Sequence, residues 1–395
     1  MPTNRSKPRS GRHVAICVDK ARAYGRGLLH GVADYVELYG PWSIFVDAYS
    51  NGHLDPQWLR RWKGDGILAD VGDVSVAQRL IRSRIPTVDV YGRIRVDSLP
   101  RVGNDEVAVG RLAAEHLLER EFKRFAFCGI AGRWWSENRF HGFSDAVKAA
   151  GFPCLCYDTM IDKRTPRAWE SGQQALSQWI GQLPKPIGIM GSTDPLARQV
   201  LDACHRARVA VPEEIAVIGV DNDEDLCRLC DPPLSSVVVN PRRIGYEGAR
   251  MLQGLMCGEL RASAVEPVLV SPLRVATRMS TEITAIEDKQ VAEAVSFIRK
   301  NACDRIQAKD VSRAIDRSRT TLYRLFQEAL GRSPNDEILR VQLERAKALL
   351  AQTTHTLEEI AQMTGFSRAS YFCVAFKREL GMTAGDYRAI YRPKE

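Results

Sequence analysis

No uncharged apolar run in the 395-residue chain reaches the roughly 18 residues that a membrane-spanning helix needs. Arg5, Lys7, Arg9 and Arg12 stand among Pro, Ser and Gly at the start, with no apolar stretch behind them to act as a secretory signal. A cytoplasmic protein with no membrane partner is therefore expected. Ten cysteines are present, but without a disulfide framework. In a cytosolic chain they read as reduced, small core residues. The pair in "CRLC" at 227 to 230 lacks the second pair or nearby histidines that a zinc site uses. Catalytic signatures are missing too: there is no G-x-S-x-G elbow, no H-E-x-x-H pair and no phosphate-loop lysine motif. "YGRGLLHG" (24 to 31) nearly spells a dinucleotide fingerprint, but its last glycine comes one residue late and Arg26 sits inside the loop. Neither a catalytic residue nor a metal or cofactor is expected.

What is present is unevenly charged. The net charge of +8 divides into +4 over the first 12 residues, −1 over residues 13 to 290 and +5 over residues 291 to 395. A neutral body with basic ends points to a polyanion at those ends. With 45% hydrophobic residues, the chain can bury two or three separate cores.

From residue 13 to about 240, short apolar runs alternate with amphipathic stretches. The runs are "VAICVD" (14 to 19), "SIFVDAY" (43 to 49), "GILADV" (66 to 71), "PTVDVY" (86 to 91), "RFAFCGI" (124 to 130), "PIGIMGSTD" (186 to 194), "IAVIGVDN" (215 to 222) and "LSSVVVN" (234 to 240). Continuous apolar strands separated by helices predict parallel sheets covered on both faces. Eight such strands exceed one simple doubly wound unit, so two α/β lobes are expected. Ligands of such folds bind at the carboxyl ends of the strands, which here are polar: Asp19, Asp70, Asp194, Asp221 and Asn222.

Beyond "RVATRMST" (274 to 281) the helical period takes over. Residues 281 to 290 read as a linker, 291 to 395 as an all-α domain, and the basic residues 1 to 12 as disordered. Two stretches of the helical domain, 310 to 331 and 357 to 381, share a plan of short helix, tight turn, hydroxyl at a cap position (Ser318, Ser367) and second helix with inward aromatics. Each reads as a helix-turn-helix. The outer faces carry Arg319, Thr320, Tyr323 and Arg324 in one copy, and Arg368, Ala369 and Tyr371 followed by Lys377 and Arg378 in the other. Early positions of such helices reach base edges, and later basic ones meet phosphates. A helix over 336 to 351, about 24 Å long at 1.5 Å per residue, would separate the two readers.

The second copy contains Ile360, Ala361, Gly365, Phe366, Ser370, Tyr371, Phe372, Phe376 and Lys377, followed by Gly381, Thr383, Tyr387 and Arg388. On these residues, 290 to 392 resembles the DNA-binding domain of the AraC/XylS family. Ala384 replaces that family's usual proline, and Asp316 stands where the first turn often has glycine. The first two thirds resembles the LacI-type effector domain, a relative of periplasmic sugar-binding proteins. The residues that carry this are "DGILAD" (65 to 70), "VGNDEVAVGRLAAEHLLE" (102 to 119), "RFAFCGI", "NRFHGF" (138 to 143) and "VIGVDN" (217 to 222). The DNA headpiece usual at that family's N-terminus has no room before the first strand.

A LacI-like sensor (13 to 280) followed by an AraC-like reader is the layout of xylose operon regulators, which the whole chain resembles. The resemblance implies a sugar effector, D-xylose first, held by Arg139 and Asp221, with Asn222, Asp194 and Asp70 as further polar candidates and Trp134 or Trp135 as the stacking face. It further implies a homodimer on double-stranded DNA with repeated half-sites, working with RNA polymerase to activate sugar uptake and breakdown. Repression, another sugar or polyol, a doubly wound enzyme and a transport-binding protein are the competing readings.

Overall fold

The computed structural model describes residues 11–46, 49–50, 53–54, 56–159, 166–282 and 288–391. The expected disordered stretch 1–12 lies outside these apart from Gly11 and Arg12, as do residues 283–287 of the expected linker. The chain forms two compact units: one takes in residues up to Ala207 together with Ala216–Glu282, the other Arg208–Ile215 together with Ile283–Glu395.

In the first unit all eight apolar runs form strands, split between two sheets. One sheet has the order Trp42–Phe45, Arg12–Cys17, Gly66–Ala69, Thr87–Asp89, with parallel pairing throughout. The other runs Arg274–Ala276, Ser235–Val238, Ile215–Val220, Ile187–Gly191, Phe125–Ile130, Cys154–Thr159, and its edge strand Arg274–Ala276 is antiparallel. Each sheet belongs to one lobe. The central strands are buried along their whole length, as helices on both faces require. Cys154–Thr159 was not expected as a strand: its apolar stretch is only four residues long, and at the sheet edge none of its residues is fully buried.

Two glycine-mediated helix contacts fix the lobes. Helices Glu106–Leu118 and Trp134–Ala149 touch backbone to backbone, because a Cβ on Gly110 would strike the Arg139 carbonyl and one on Gly142 the Val107 carbonyl. In the other lobe, Ala23–Tyr39 packs on Pro241–Met256 with Gly27 against Pro241 and Gly31 against the Arg242 carbonyl. Two glycines of the near-dinucleotide motif, Gly27 and Gly31, thus serve helix packing, while Gly25 lies against the Asp19 carbonyl.

The second unit is helical: Lys289–Asn301, Ala308–Ala314, Arg319–Leu330, Pro334–Gln352, Leu357–Met363, Ala369–Leu380 and Ala384–Tyr391. The spacer helix Pro334–Gln352 is longer than expected, 19 residues or about 28 Å. Ser333 and Asp336 start it two residues early through a capping box with proline at the first helical position. Leu322 and Phe326 are fully buried in the first helix-turn-helix. Ile360, Phe366, Phe372 and Phe376 form the core of the second, and Ala384 joins them behind a Thr383 hydroxyl that accepts the Asp386 N–H. Alanine therefore replaces proline at that helix start without losing the cap.

The two turns differ by one residue. Both first helices end in a left-handed residue, Asp316 (φ 51°) and Gly365 (φ 82°), and the amides of Arg317 and Phe366 each reach back to a helix carbonyl. The first copy then starts its second helix from Ser318, whose hydroxyl accepts the Thr321 N–H. In the second copy Ser367 lies one residue too early and Arg368 takes the cap position without a side-chain cap bond. Gly365 is constrained twice, since a Cβ there would lie 2.8 Å from the Ala302 carbonyl oxygen and 2.9 Å from that of Cys303. Gly365→Ala should destabilise the helical unit by about 2 kcal/mol, measured by urea denaturation of the full chain. An unchanged midpoint would contradict this account of the turn.

Candidate functional site

A cleft of about 310 Å³ opens between the lobes of the first unit, at the carboxyl ends of both sheets. Arg22, Tyr24, Gly72, Tyr91 and Arg93 form one wall, and Glu106, Trp135, Arg139, Thr193, Gln199 and Asp221 the other.

Arg139 lies at the centre. Asp105 caps the helix that begins at Glu106, accepting the Ala108 N–H at 3.0 Å, and so turns the Glu106 side chain toward the glycine-packed neighbour. There Arg139 donates through Nε to Glu106 Oε2 at 2.5 Å and through Nη1 to the Ser192 carbonyl at 2.5 Å. Its Nη2 lies 3.9 Å from Asp221 Oδ1. Burial works against the Arg139 charge, but the Glu106 and Asp221 carboxylates reverse this and hold its pKa above the ordinary value. The Arg139 guanidinium also covers the Trp135 ring at 5.2 Å from its centroid.

Asp221 closes the strand Ile215–Val220 in a strained turn, with φ of 103° at Asp221 and 50° at Asn222. Its N–H bonds the Val237 carbonyl and the Asn222 N–H bonds Ser236 Oγ, which hold the turn to the next strand. Burial lifts the Asp221 carboxyl to about 6, with Arg139 pulling the other way. Across the cleft Tyr24 and Tyr91 pack at 4.6 Å between centroids. Burial raises both phenols, Tyr91 to about 12, and the buried Tyr24 hydroxyl has no hydrogen-bond partner among the described residues. Arg93 and Arg22 are engaged by Asp70 at 2.6 Å and Asp19 at 3.2 Å. With Arg22, Arg93 and Arg139 each facing a carboxylate and Arg133 exposed to solvent, the cleft suits a neutral ligand that offers hydroxyls on one side and an apolar face on the other.

Of the effector residues expected from sequence, the structure brings Arg139 and Asp221 together on the cleft wall and places the others behind it. Asp70 holds Arg93. Asp194 is fully buried, accepts from Ser236 Oγ at 2.6 Å and from the Asp223 N–H at 2.8 Å, and is lifted by burial to about 8. Asn222 accepts from Arg278 at 2.8 Å. Trp134 turns away and donates to the Gly92 carbonyl at 2.8 Å, leaving Trp135 as the aromatic face. Glu106, Tyr24 and Tyr91 were not expected. Tyr91 ends a strand run and was open to the same strand-end reasoning as Asp221, whereas Glu106 gives no local signal because its partner lies 33 residues away.

In the helical unit, Arg319 and Thr320 are exposed in the first turn of their helix. Tyr323 accepts from Asn335 at 2.8 Å, and Arg324 is tied to Glu328 at 2.8 Å. In the second copy Arg368 and Tyr371 are exposed, Lys377 is exposed a turn later, and Arg378 pairs with Glu379 at 2.7 Å. Ala369 departs from expectation: it is half-buried and packs its short side chain against the helical core, although it holds the same helix position as the exposed Arg319 of the first copy. Val374, 65% exposed, lies one turn beyond Tyr371 on the outer face.

A two-lobed periplasmic-binding-protein-like unit with a ligand cleft, carried on one chain with paired helix-turn-helix motifs, defines an effector-responsive transcription regulator. Residues 13–103 match the XylR N-terminal domain family, 114–281 the Periplasmic binding protein-like domain and 311–390 a helix-turn-helix domain. The xylose operon regulatory protein of Escherichia coli (strain K12) is 32% identical over 388 residues, 96% of this chain and 97% of that one. Its Haemophilus influenzae counterpart is 31% identical over 383 residues, 95% and 97% of the two chains. The solved structure of a xylose-binding transcription activator, XylR, matches with a TM-score of 0.83 at 31% identity, covering 97% of this chain and 99% of that one. This chain belongs to the family of xylose operon regulatory proteins, which are transcription regulators and not enzymes. No helix among the described residues is long and apolar enough to cross a membrane.

Arg139→Met leaves Glu106 buried without its countercharge and should destabilise the sensor unit by about 3–5 kcal/mol in urea unfolding of the full chain. A loss below about 1 kcal/mol would show that the pair is not the centre of the lobe.

Proposed function

We propose that this chain senses D-xylose in the cleft of residues 13 to 280 and, through its reader at 291 to 395, binds operator DNA with repeated half-sites as a cytoplasmic homodimer. In this reading it activates transcription with RNA polymerase, turning on genes for pentose uptake and breakdown. The linker expected at 281 to 290 is narrowed at both ends, because Thr281 is buried in the first unit and Lys289 and Gln290 open the first helix of the second.

The observation that carries the reading is the arrangement around Arg139: one cation between two carboxylates, Glu106 and Asp221, faced by Tyr24, Tyr91 and Trp135, with the Tyr24 hydroxyl lacking a partner among the described residues. Arg139 and Asp221 would take adjacent hydroxyls of the sugar, Trp135 and the tyrosines its C–H face, and Tyr24 one further hydroxyl. The names of the E. coli and H. influenzae relatives point to xylose among neutral sugars. On the DNA side, Arg319, Thr320 and Arg368 stand at the helix starts for base edges, Tyr371 and Val374 for apolar contact, and Lys377, Arg378, Arg324 and Tyr323 nearer the phosphates.

Two outcomes test this. The ionised Asp221 accepts two sugar hydroxyls, whereas its protonated form accepts fewer; with its carboxyl near 6, D-xylose affinity should fall as the pH drops through that value. Calorimetric titrations between pH 8 and 5 should follow this trend in the wild type and stay flat in a much weaker Asp221→Asn variant. A wild-type affinity independent of pH would remove Asp221 from the site. Separately, Arg368→Ala should weaken specific operator binding by about 1–3 kcal/mol in fluorescence anisotropy, on top of a steep salt dependence. Undiminished affinity would take that helix off the DNA.

A further inference from the structure

Three of the last four residues before the unit's end at Glu282, "RMST" (278 to 281), are polar in sequence, yet Ser280 and Thr281 are fully buried. Their amides bond the Pro233 carbonyl at 3.0 Å and the Arg278 carbonyl at 3.2 Å, and their hydroxyls are held by a connected set of side chains. Ser280 Oγ donates to the Val217 carbonyl at 2.6 Å and accepts the Ser235 N–H at 2.8 Å. Thr281 Oγ1 donates to Ser235 Oγ at 2.7 Å, so the proton it shares with His116 Nε2 at 2.8 Å comes from the imidazole. Ser235 Oγ in turn donates to the Arg278 carbonyl at 2.9 Å and accepts the Arg278 N–H at 2.7 Å. Arg120 Nε holds the Thr281 carbonyl at 2.7 Å. Burial pushes His116 down to about 3, which keeps it neutral and in this donating role.

One arm of the network leaves the cluster. Arg278 Nη1 donates to the Leu234 carbonyl at 2.9 Å, and its Nη2 reaches Asn222 Oδ1 at 2.8 Å. Asn222 is the second residue of the strained turn whose first residue, Asp221, lines the cleft. The Arg278–Asn222 arm is half-buried and rooted in the buried cluster, and a connected polar network of this kind has discrete arrangements, so a shift at one end is passed to the other. Anchoring of the edge strand Arg274–Ala276 needs the Ser235 and Ser280 bonds, but it does not need a guanidinium aimed at Asn222.

We propose that Arg278 is a positioning residue that links the Asp221–Asn222 turn to residues 279–282, so that occupation of the cleft sets the order of the segment by which the chain leaves the sensor toward the reader. The link rests on the reading of Asp221 as a sugar contact for its trigger, but not for its existence.

Hydrogen exchange on the full chain separates the two. In the absence of sugar, Asn222→Ala and Arg278→Met should each speed exchange of the Ser280 and Thr281 amides by about tenfold, the size of one hydrogen bond from a charged donor, with the central strand Ile187–Gly191 unchanged. D-xylose should slow those amides in the wild type and leave them fast in both variants while still protecting the Asp221 amide in each. The sugar's effect on operator affinity should then shrink to within about twofold in the variants. Ser280 and Thr281 amides that exchange at the wild-type rate in sugar-free Asn222→Ala would overturn the link. If D-xylose protects no amide in the wild type, the ligand reading fails, and the sugar-free comparison still decides the link.

Discussion

A buried arginine is tolerated only where carboxylates and carbonyls surround it, and the sensor is arranged to satisfy that condition around Arg139. Gly110 and Gly142 allow two helices to meet backbone to backbone, which brings Glu106 within 2.5 Å of the guanidinium. The strand Ile215–Val220 then ends in a turn that supplies Asp221 from the other side. Larger residues at either glycine would drive the helices apart and leave both charges buried and unpaired, the costly state for ions in a protein interior. Helix packing, lobe shape and the chemistry of the cleft therefore share one cause.

The helical unit meets a different constraint, the geometry of a tight turn. Asp316 and Gly365 each supply the left-handed residue that ends a first helix, and only the second faces carbonyls too close for a side chain. One added residue in the second turn leaves Ser367 short of the cap position, so that Arg368 heads its helix. The two readers thus present different chemistry from the same plan: a hydroxyl-capped helix start in one, an arginine at the cap in the other.

Much of this was legible in the sequence, for identifiable reasons. Central parallel strands are apolar on both faces, so "GILADV" and "IAVIGVDN" announced themselves, while the edge strand Cys154–Thr159 did not because half its side chains meet solvent. Arg139 and Asp221 were identified through resemblance to sugar sensors, and the structure brings them together. Asp194, Asn222, Asp70 and Trp134 have the right chemistry, but they lie behind the cleft wall, because strand-end position fixes where a residue starts and not where its side chain turns. Glu106 and Tyr24 escaped notice since their significance depends on partners distant in sequence.

The central claim is that one chain couples a sugar cleft to a DNA reader, and coupling between two binding equilibria is reciprocal. Calorimetric titration of D-xylose into the full chain, alone and saturated with operator DNA, tests it most directly. The account predicts tighter sugar binding on the DNA-bound protein, by the same factor by which D-xylose raises operator affinity. Equal sugar affinity in the two titrations would contradict it.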